Sequence, residues 1–304
     1  MRFDGMLIPA FGWPDLVERA RQLERLGFGT VWIDDHIANP VAVGAPWFEA
    51  WAALAGLAAS TETIRIGPMA GNVVLRHPTL LARQAITVDH ASGGRLSLTI
   101  GSGYAEPDHA LVQTPMWDDD ERQGRFRDAV VLLDCVLRGD QAPASDDSVW
   151  VDEPFQIRPR SKQSPRPPLI VAAHGPKAIE LAGERGDGWC SYGGYGLGAA
   201  GVEAITRQRV AMLEDAAVRH GRDPGSIERL MLVGNTAVSD EPMWASTDAF
   251  EDLVGRYTEV GITTLVLYNP PSVVAPGIDD SVVEAVFEEV VPRLMALHTA
   301  GTSS

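Results

Sequence analysis

The chain is 304 residues long, 45% of them hydrophobic, and carries a formal net charge of −16. That composition can bury a sizeable core in one large domain or two ordinary ones, and it excludes a chain that is disordered throughout. The acidic balance argues against a general nucleic-acid or anionic-membrane surface, either of which needs a cationic face, and leaves a small molecule as the expected partner.

At the N-terminus, MRFDGMLIPAFG has no long apolar signal region, and no later run approaches the roughly 20 apolar residues that span a bilayer, so a cytoplasmic protein is expected. Strands are predicted near 3–8, 30–34, 64–74, 95–100, 168–173, 188–192, 229–238 and 263–268. Each is followed by a helical pattern, near 14–27, 46–60, 78–91, 121–138, 176–186, 200–220, 246–260 and 280–297. Eight such units over roughly 250 residues plus insertions suit a (β/α)8 barrel, whereas a doubly wound sheet would have about six strands and a central crossover. The fold class is therefore α/β, a TIM barrel in one domain over 1–304, with an inserted loop at 139–168 and a flexible tail at 298–304. In that fold the residues to weigh follow the apolar runs.

His36 stands where the second strand ends, and an imidazole there can trade a proton near neutrality. Strand alternation puts Asp34 on its side and Asp35 on the other, so Asp34 is the nearer of the two. The helix at 46–60, PWFEAWAALAGLAAS, is apolar on nearly every side and is expected to pack against a second subunit. After Pro78 opens the third helix and Gly93-Gly94 stops it, the fourth strand exits through Gly101-Ser102-Gly103, where missing side chains would let a ligand approach the backbone. Glu106 in the same exit could act as acid or base, or remain a solvated carboxylate; His109 is a weaker candidate, and Tyr104 could cover a ligand or simply pack.

Asp118-Asp119-Asp120 lacks the later ligands of a calcium loop and reads better as a helix cap before Glu121. Cys135 and Cys190, the two cysteines, support neither a disulfide framework nor a metal site. Three long loops, 139–168, 193–201 and 239–247, are candidate lids. His174-Gly175-Pro176-Lys177-Ala178 joins the fifth strand to a helix start whose free N–H groups suit a phosphate, and Arg158, Arg160, Lys162, Arg166 and Lys177 form a cationic run that could steer an anion there. GSGYAE lacks the third glycine of a dinucleotide fingerprint, no phosphate-loop motif occurs, and Ser102 is not in a serine-hydrolase elbow.

Together, RHPTLLARQAITVDHASGGRLSLTIGSG, Asp35-His36, ERQGRFRDAVVLL at 121–133 and VAAHGPKAIELAGERGDGW at 171–189 resemble the bacterial luciferase-like superfamily of flavin- and deazaflavin-dependent oxidoreductases, in order and over nearly the whole chain. Asp35-His36, the Tyr-x-Glu-Pro after Gly103 and Gly175-Pro176-Lys177 resemble its deazaflavin-using branch. The resemblance implies a barrel, commonly homodimeric, with the cofactor ring over the strand ends. It implies a bulge in the third strand, with a non-proline cis peptide at about Met69-Ala70 backing the ring, and Gly71 and Asn72 beside it. Asn72 could bond the ring or satisfy the bulge's own backbone. Cofactor contacts are thus expected from Asp35, Met69, Ala70, Gly71, Asn72, Gly101, Gly103 and 174–178, with His36 and Glu106 as catalytic residues and no metal. The leading expectation is hydride transfer between a deazaflavin, coenzyme F420, and a small organic substrate. The alternatives are an FMNH2-dependent monooxygenase using molecular oxygen, which needs the nitrogen that deazaflavin lacks, and a non-catalytic flavin-binding protein.

Overall fold

In the computed structural model, which describes residues 1–40, 44–142 and 154–301, the apolar runs form nine parallel strands: β1 (Arg2–Leu7), β2 (Thr30–Ile33), β3 (Arg65–Pro68), β4 (Gly71–Asn72), β5 (Leu98–Gly101), β6 (Leu169–Ala172), β7 (Gly188–Ser191), β8 (Glu228–Val233) and β9 (Thr264–Tyr268). They pair in the order β3-β2-β1-β9-β8-β7-β6-β5-β4. A parallel bridge between Ile66 and Leu96 joins the two ends of this series, so β3 and β4 share one staggered position and the sheet closes as an eight-position barrel. The third predicted strand is split at the Met69-Ala70 peptide, which is cis. Most strand residues are buried, because helices cover the outside and side chains fill the inside, and such strands read as continuous apolar runs. Met6, Trp32, Met69, Ile170, Cys190, Leu230, Val266 and Tyr268 make the interior plug, and a larger core lies between barrel and helices.

Ten α-helices surround the described barrel: α1 (Trp13–Arg25), α2 (Ala50–Ser60), α3 (Pro78–Ala91), α4 (Glu106–Leu111), α5 (Asp119–Arg138), α6 (Pro176–Arg185), α7 (Gly198–Arg219), α8 (Thr247–Val260), α9 (Asp280–Ala285) and α10 (Val291–Gly301). A π turn over 286–290 joins the last two. Local chemistry sets several starts. Asp118 accepts from the Glu121 N–H at 2.9 Å, so the aspartate run is a cap, and Ser246 does the same for α8. Among the described residues no helix is long and apolar enough to cross a membrane.

The structure corrects several expectations. The predicted lid at 139–168 precedes β6, so it belongs to the N-terminal end of the barrel; its described part bonds the lower end of α3, with Lys162 and Gln163 N–H groups donating to Asp89 at 2.8 and 3.0 Å. Residues 143–153 lie outside the described residues. Part of the apolar surface of α2 is covered inside this chain, and its expected packing against a second subunit stays a proposal. Trp51, Leu54 and Leu57 are buried, and a Cβ at Gly56 would strike the Trp13 ring, leaving mainly Ala52 and Ala59 exposed. The C-terminal helix continues through Gly301, past the predicted start of the tail, and β8 stops at Val233, short of the predicted 238.

Candidate active site

At the C-terminal ends of the strands a cavity of about 950 Å³ opens above the apolar plug. This is at the upper end of the roughly 300–1,000 Å³ usual for small-molecule sites. Its lining comes from every strand position: Met6 and Ile8, Asp34 to His36, Met69, Ala70 and Asn72, Gly101 to Tyr104, Ala172 to Ala178, Cys190 to Tyr192, Met231 to Asn235, and Tyr268.

The charged centre lies just beyond β2. Backbone alternation turns Asp34 and His36 to one side, with His36 Nε2 3.5 Å from Asp34 Oδ1. The opposite side holds Asp35, gripped by both Arg76 terminal nitrogens and accepting the Asn72 N–H at 3.0 Å. Asp35 therefore ties the β2 exit to the β4 strand, and its carboxylate is occupied within the protein.

Sequence reasoning missed His36's second partner, Asp108 of α4. Its Oδ2 lies 2.7 Å from His36 Nδ1 and accepts from Asn72 Nδ2 at 2.8 Å, while Oδ1 accepts the Ile37 N–H at 3.0 Å. With Nδ1–H committed to a carboxylate that is 2% exposed, Nε2 is the nitrogen that faces Asp34 in the lining. Burial alone would lower the His36 pKa, but the charge of Asp34, the bond to Asp108 and the charges of Asp108 and Asp35 raise it to about 9. Burial, partly offset by His36, raises Asp34 to about 6. The imidazole is thus cationic at neutrality, held by carboxylates and backed by one amide.

Glu106 does not join this centre. It is exposed at the first position of α4 and does not line the cavity. The reason is helical geometry: residues two apart project about 200° from one another, so turning Asp108 inward turns Glu106 out. His109 is also removed from the cavity, 1% exposed, with Nδ1 2.9 Å from the Pro115 carbonyl and its ring edge-on to Trp117. A proline after the glycine exit was the available sign that a helix begins there.

Asn72 is largely consumed by the bulge: Oδ1 accepts the Val74 N–H at 2.9 Å and Nδ2 serves Asp108. Gly101 and Gly103 line the cavity, yet their missing side chains make room for protein. A Cβ on Gly103, which has φ +68°, would meet Val74 and Asn72, and one on Gly101 would lie 3.1 Å from the Ala70 Cβ.

The 174–178 segment does open on the cavity. Gly175 is the N-cap of α6 without a side-chain cap, and a Cβ there would find nothing within 4 Å. Such a start leaves N–H groups for an anion. The cationic run is not there: Arg166 is buried at the opposite end on Asp134 and Asp187, the Arg160 carbonyl meets His90, and Lys177, 2.7 Å from Asp120, is the member that lines the cavity. His174 stays neutral, since burial and then Arg209 hold it down to about 4. Its ring meets Tyr192 edge-on at 4.2 Å, and Tyr195 follows at 5.4 Å. Of the other predicted lids, 193–201 contributes Tyr195, and 239–247 contributes Ser239 and Glu241.

The model of the luciferase-like monooxygenase family matches residues 2–276. F420-dependent glucose-6-phosphate dehydrogenase from Beutenbergia cavernae is 29% identical, covering 93% of this chain and 94% of its own length. F420-dependent hydroxymycolic acid dehydrogenase from Mycobacterium tuberculosis is 26% identical over 90% of this chain and 76% of its own. The solved coenzyme F420-dependent tetrahydromethanopterin reductase of Methanopyrus kandleri shares the fold with a TM-score of 0.75 at 18% identity, covering 96% of this chain and 99% of that one.

Proposed function

The chain belongs to the luciferase-like monooxygenase family, and from that premise we propose that it is a deazaflavin-dependent oxidoreductase using coenzyme F420 and a small organic substrate. The observation that carries the mechanism is the His36–Asp108 pair at the cavity, because hydride chemistry on a polarised bond needs a proton handled beside it. The cofactor fits what is present. The cavity is large, its floor is apolar, and the uncapped α6 start offers N–H groups for a phosphate of the cofactor tail. Met69, Ala70 and Gly71 would back the ring, with Gly101 and Gly103 at its edge. When bound, the deazaflavin supplies or accepts the hydride.

The protein's own part is positional and acid–base. Asp108 fixes the His36 tautomer, Asn72 and the Ile37 N–H fix Asp108, and Nε2 delivers or receives the proton. Asp35 and Arg76 hold the β2 exit against the β4 bulge, so the imidazole and the ring backing share one frame. The apolar plug keeps water from below.

The test is to titrate the apo-protein with coenzyme F420 and with FMN in both redox states, then measure turnover. F420 binding with hydride transfer is expected. FMN binding with reduced-flavin-dependent oxygen uptake and no F420 binding would instead establish the monooxygenase reading; flavin binding without turnover would establish a carrier. We further propose a cytoplasmic homodimer, to be checked by light scattering.

A further inference from the structure

We infer that the substrate entering this cavity is uncharged and apolar around its reacting group, and that phosphorylated or carboxylated compounds are excluded. This rests on reading the β4–β6 side as the cofactor's, which leaves the β7–β9 and β1 side for the substrate.

The apolar part of that side is Leu232, Val238 and Val274 with the rings of Tyr195 and Tyr268, beside Asn235 and Ser239. The Tyr268 phenol interacts with Asn235 and the Tyr195 phenol with Tyr104, and their rings add apolar area to the wall. Among the described residues the arginine and lysine lining the cavity are Arg122 and Lys177. Both stand at the α5–α6 mouth, bonded to Asp119 and Asp120. His36 carries the remaining positive charge, and Asp34 and Asp108 already answer it.

The carboxylates on and beside the substrate side point the same way. Glu241 is bonded to Arg256 at 2.8 Å, and Asp34 faces the imidazole. A phosphate or carboxylate brought here would lose its water, meet no free guanidinium or ammonium in the described lining, and lie near a like charge. Burying an unpaired anion is strongly unfavourable. A sugar phosphate, the substrate named for one of the relatives, is therefore an excluded class.

The test uses a closely related pair that differs in charge and by one methyl group, methyl 4-oxocyclohexanecarboxylate and its free acid, with glucose 6-phosphate as a third probe. Binding to the full chain is read by calorimetry, with and without coenzyme F420. The ester should bind at least ~10-fold more tightly than the acid, about 1.4 kcal/mol, and glucose 6-phosphate should bind no better than the acid. Val273→Lys, on a partly exposed lining position, should improve acid binding about tenfold without changing coenzyme affinity. Acid or sugar phosphate binding as tightly as the ester in the unmodified chain would overturn the inference, as would an ester-to-acid ratio unmoved by Val273→Lys. Loss of F420 binding with the ester preference intact would sink the cofactor reading alone.

Discussion

Two charged triads occupy opposite ends of the same barrel interior, and their difference is instructive. At the N-terminal end Arg2 binds both Asp4 and Glu228, with Asp4 fully buried and also bonded by Trp32 Nε1 at 2.9 Å. At the C-terminal end His36 stands between Asp34 and Asp108. Both are two carboxylates around one cation. A guanidinium does not titrate in a protein, so the cation of the lower triad can only hold its charge. An imidazole does titrate, and the upper triad opens on a cavity, so it can exchange a proton with a ligand. Burial and charge pairing alone do not mark a site; a titratable cation with an accessible nitrogen does.

The largest effect should come from removing that nitrogen. His36→Ala is expected to slow single-turnover hydride transfer by about 10²–10⁴-fold, the usual worth of a positioned acid or base, while coenzyme binding stays within about twofold on the same reasoning. A variant at full rate would strip the upper triad of its distinction. Asp108→Asn should cost about tenfold or more, since the tautomer anchor weakens but the imidazole remains.

Its sharper signature is in pH. The His36 pKa is raised from 6.5 to about 9, against the lowering by burial, through Asp34 and then Asp108. Stability from the held proton is therefore complete below about 6.5 and is lost as pH rises through about 9. In the reducing direction activity should fall over the same upper range, with Asp34 contributing near 6 on the acid side. Removing the Asp108 charge should move the basic limb of the kcat/KM profile toward neutrality. An unmoved limb would show that the proton resides elsewhere.

The lower triad should answer in stability instead. Arg2→Met is expected to cost about 1–2 kcal/mol in urea unfolding at neutral pH, discounted because the Arg2 side chain is 40% exposed, and to leave hydride transfer unchanged. Burial raises Asp4 from 3.8 to about 6 although Arg2 pulls it down. Its contribution to stability is thus complete below about 3.8 and lost as pH rises through about 6, and without Arg2 that loss should extend higher. A kinetic defect in Arg2→Met would erase the contrast between the two ends.

The fold was legible because eight apolar runs with helical returns have few other solutions, and strand alternation put Asp34 with His36 and Asp35 apart. Asp108 was not legible. It sits 72 residues from His36, on a six-residue helix that the glycine exit hid, and its neighbour Glu106 offered the same chemistry two positions earlier. Likewise 158–166 looked like a steering surface because charge was counted along the chain. A segment that enters a barrel strand lies at the end away from the site, and Arg166 there serves Asp134 and Asp187.

Lys177 gives the smallest effect and the finest test of where the anion is held. Its ammonium is 69% exposed and already bonded to Asp120, which is 89% exposed, so solvent screens the pair. If backbone N–H groups at the α6 start hold the cofactor phosphate, Lys177→Ala should weaken F420 binding by no more than about threefold, because the donors remain and the charge lost, like that of the Asp120 it leaves unpaired, is screened by solvent. Gly175→Pro should weaken it more: the ring would enter the open space where a Cβ meets nothing within 4 Å and remove one N–H from the helix start. A Lys177→Ala loss larger than that of Gly175→Pro would reverse the assignment, making the side-chain charge, rather than the helix start, the group that holds the cofactor tail.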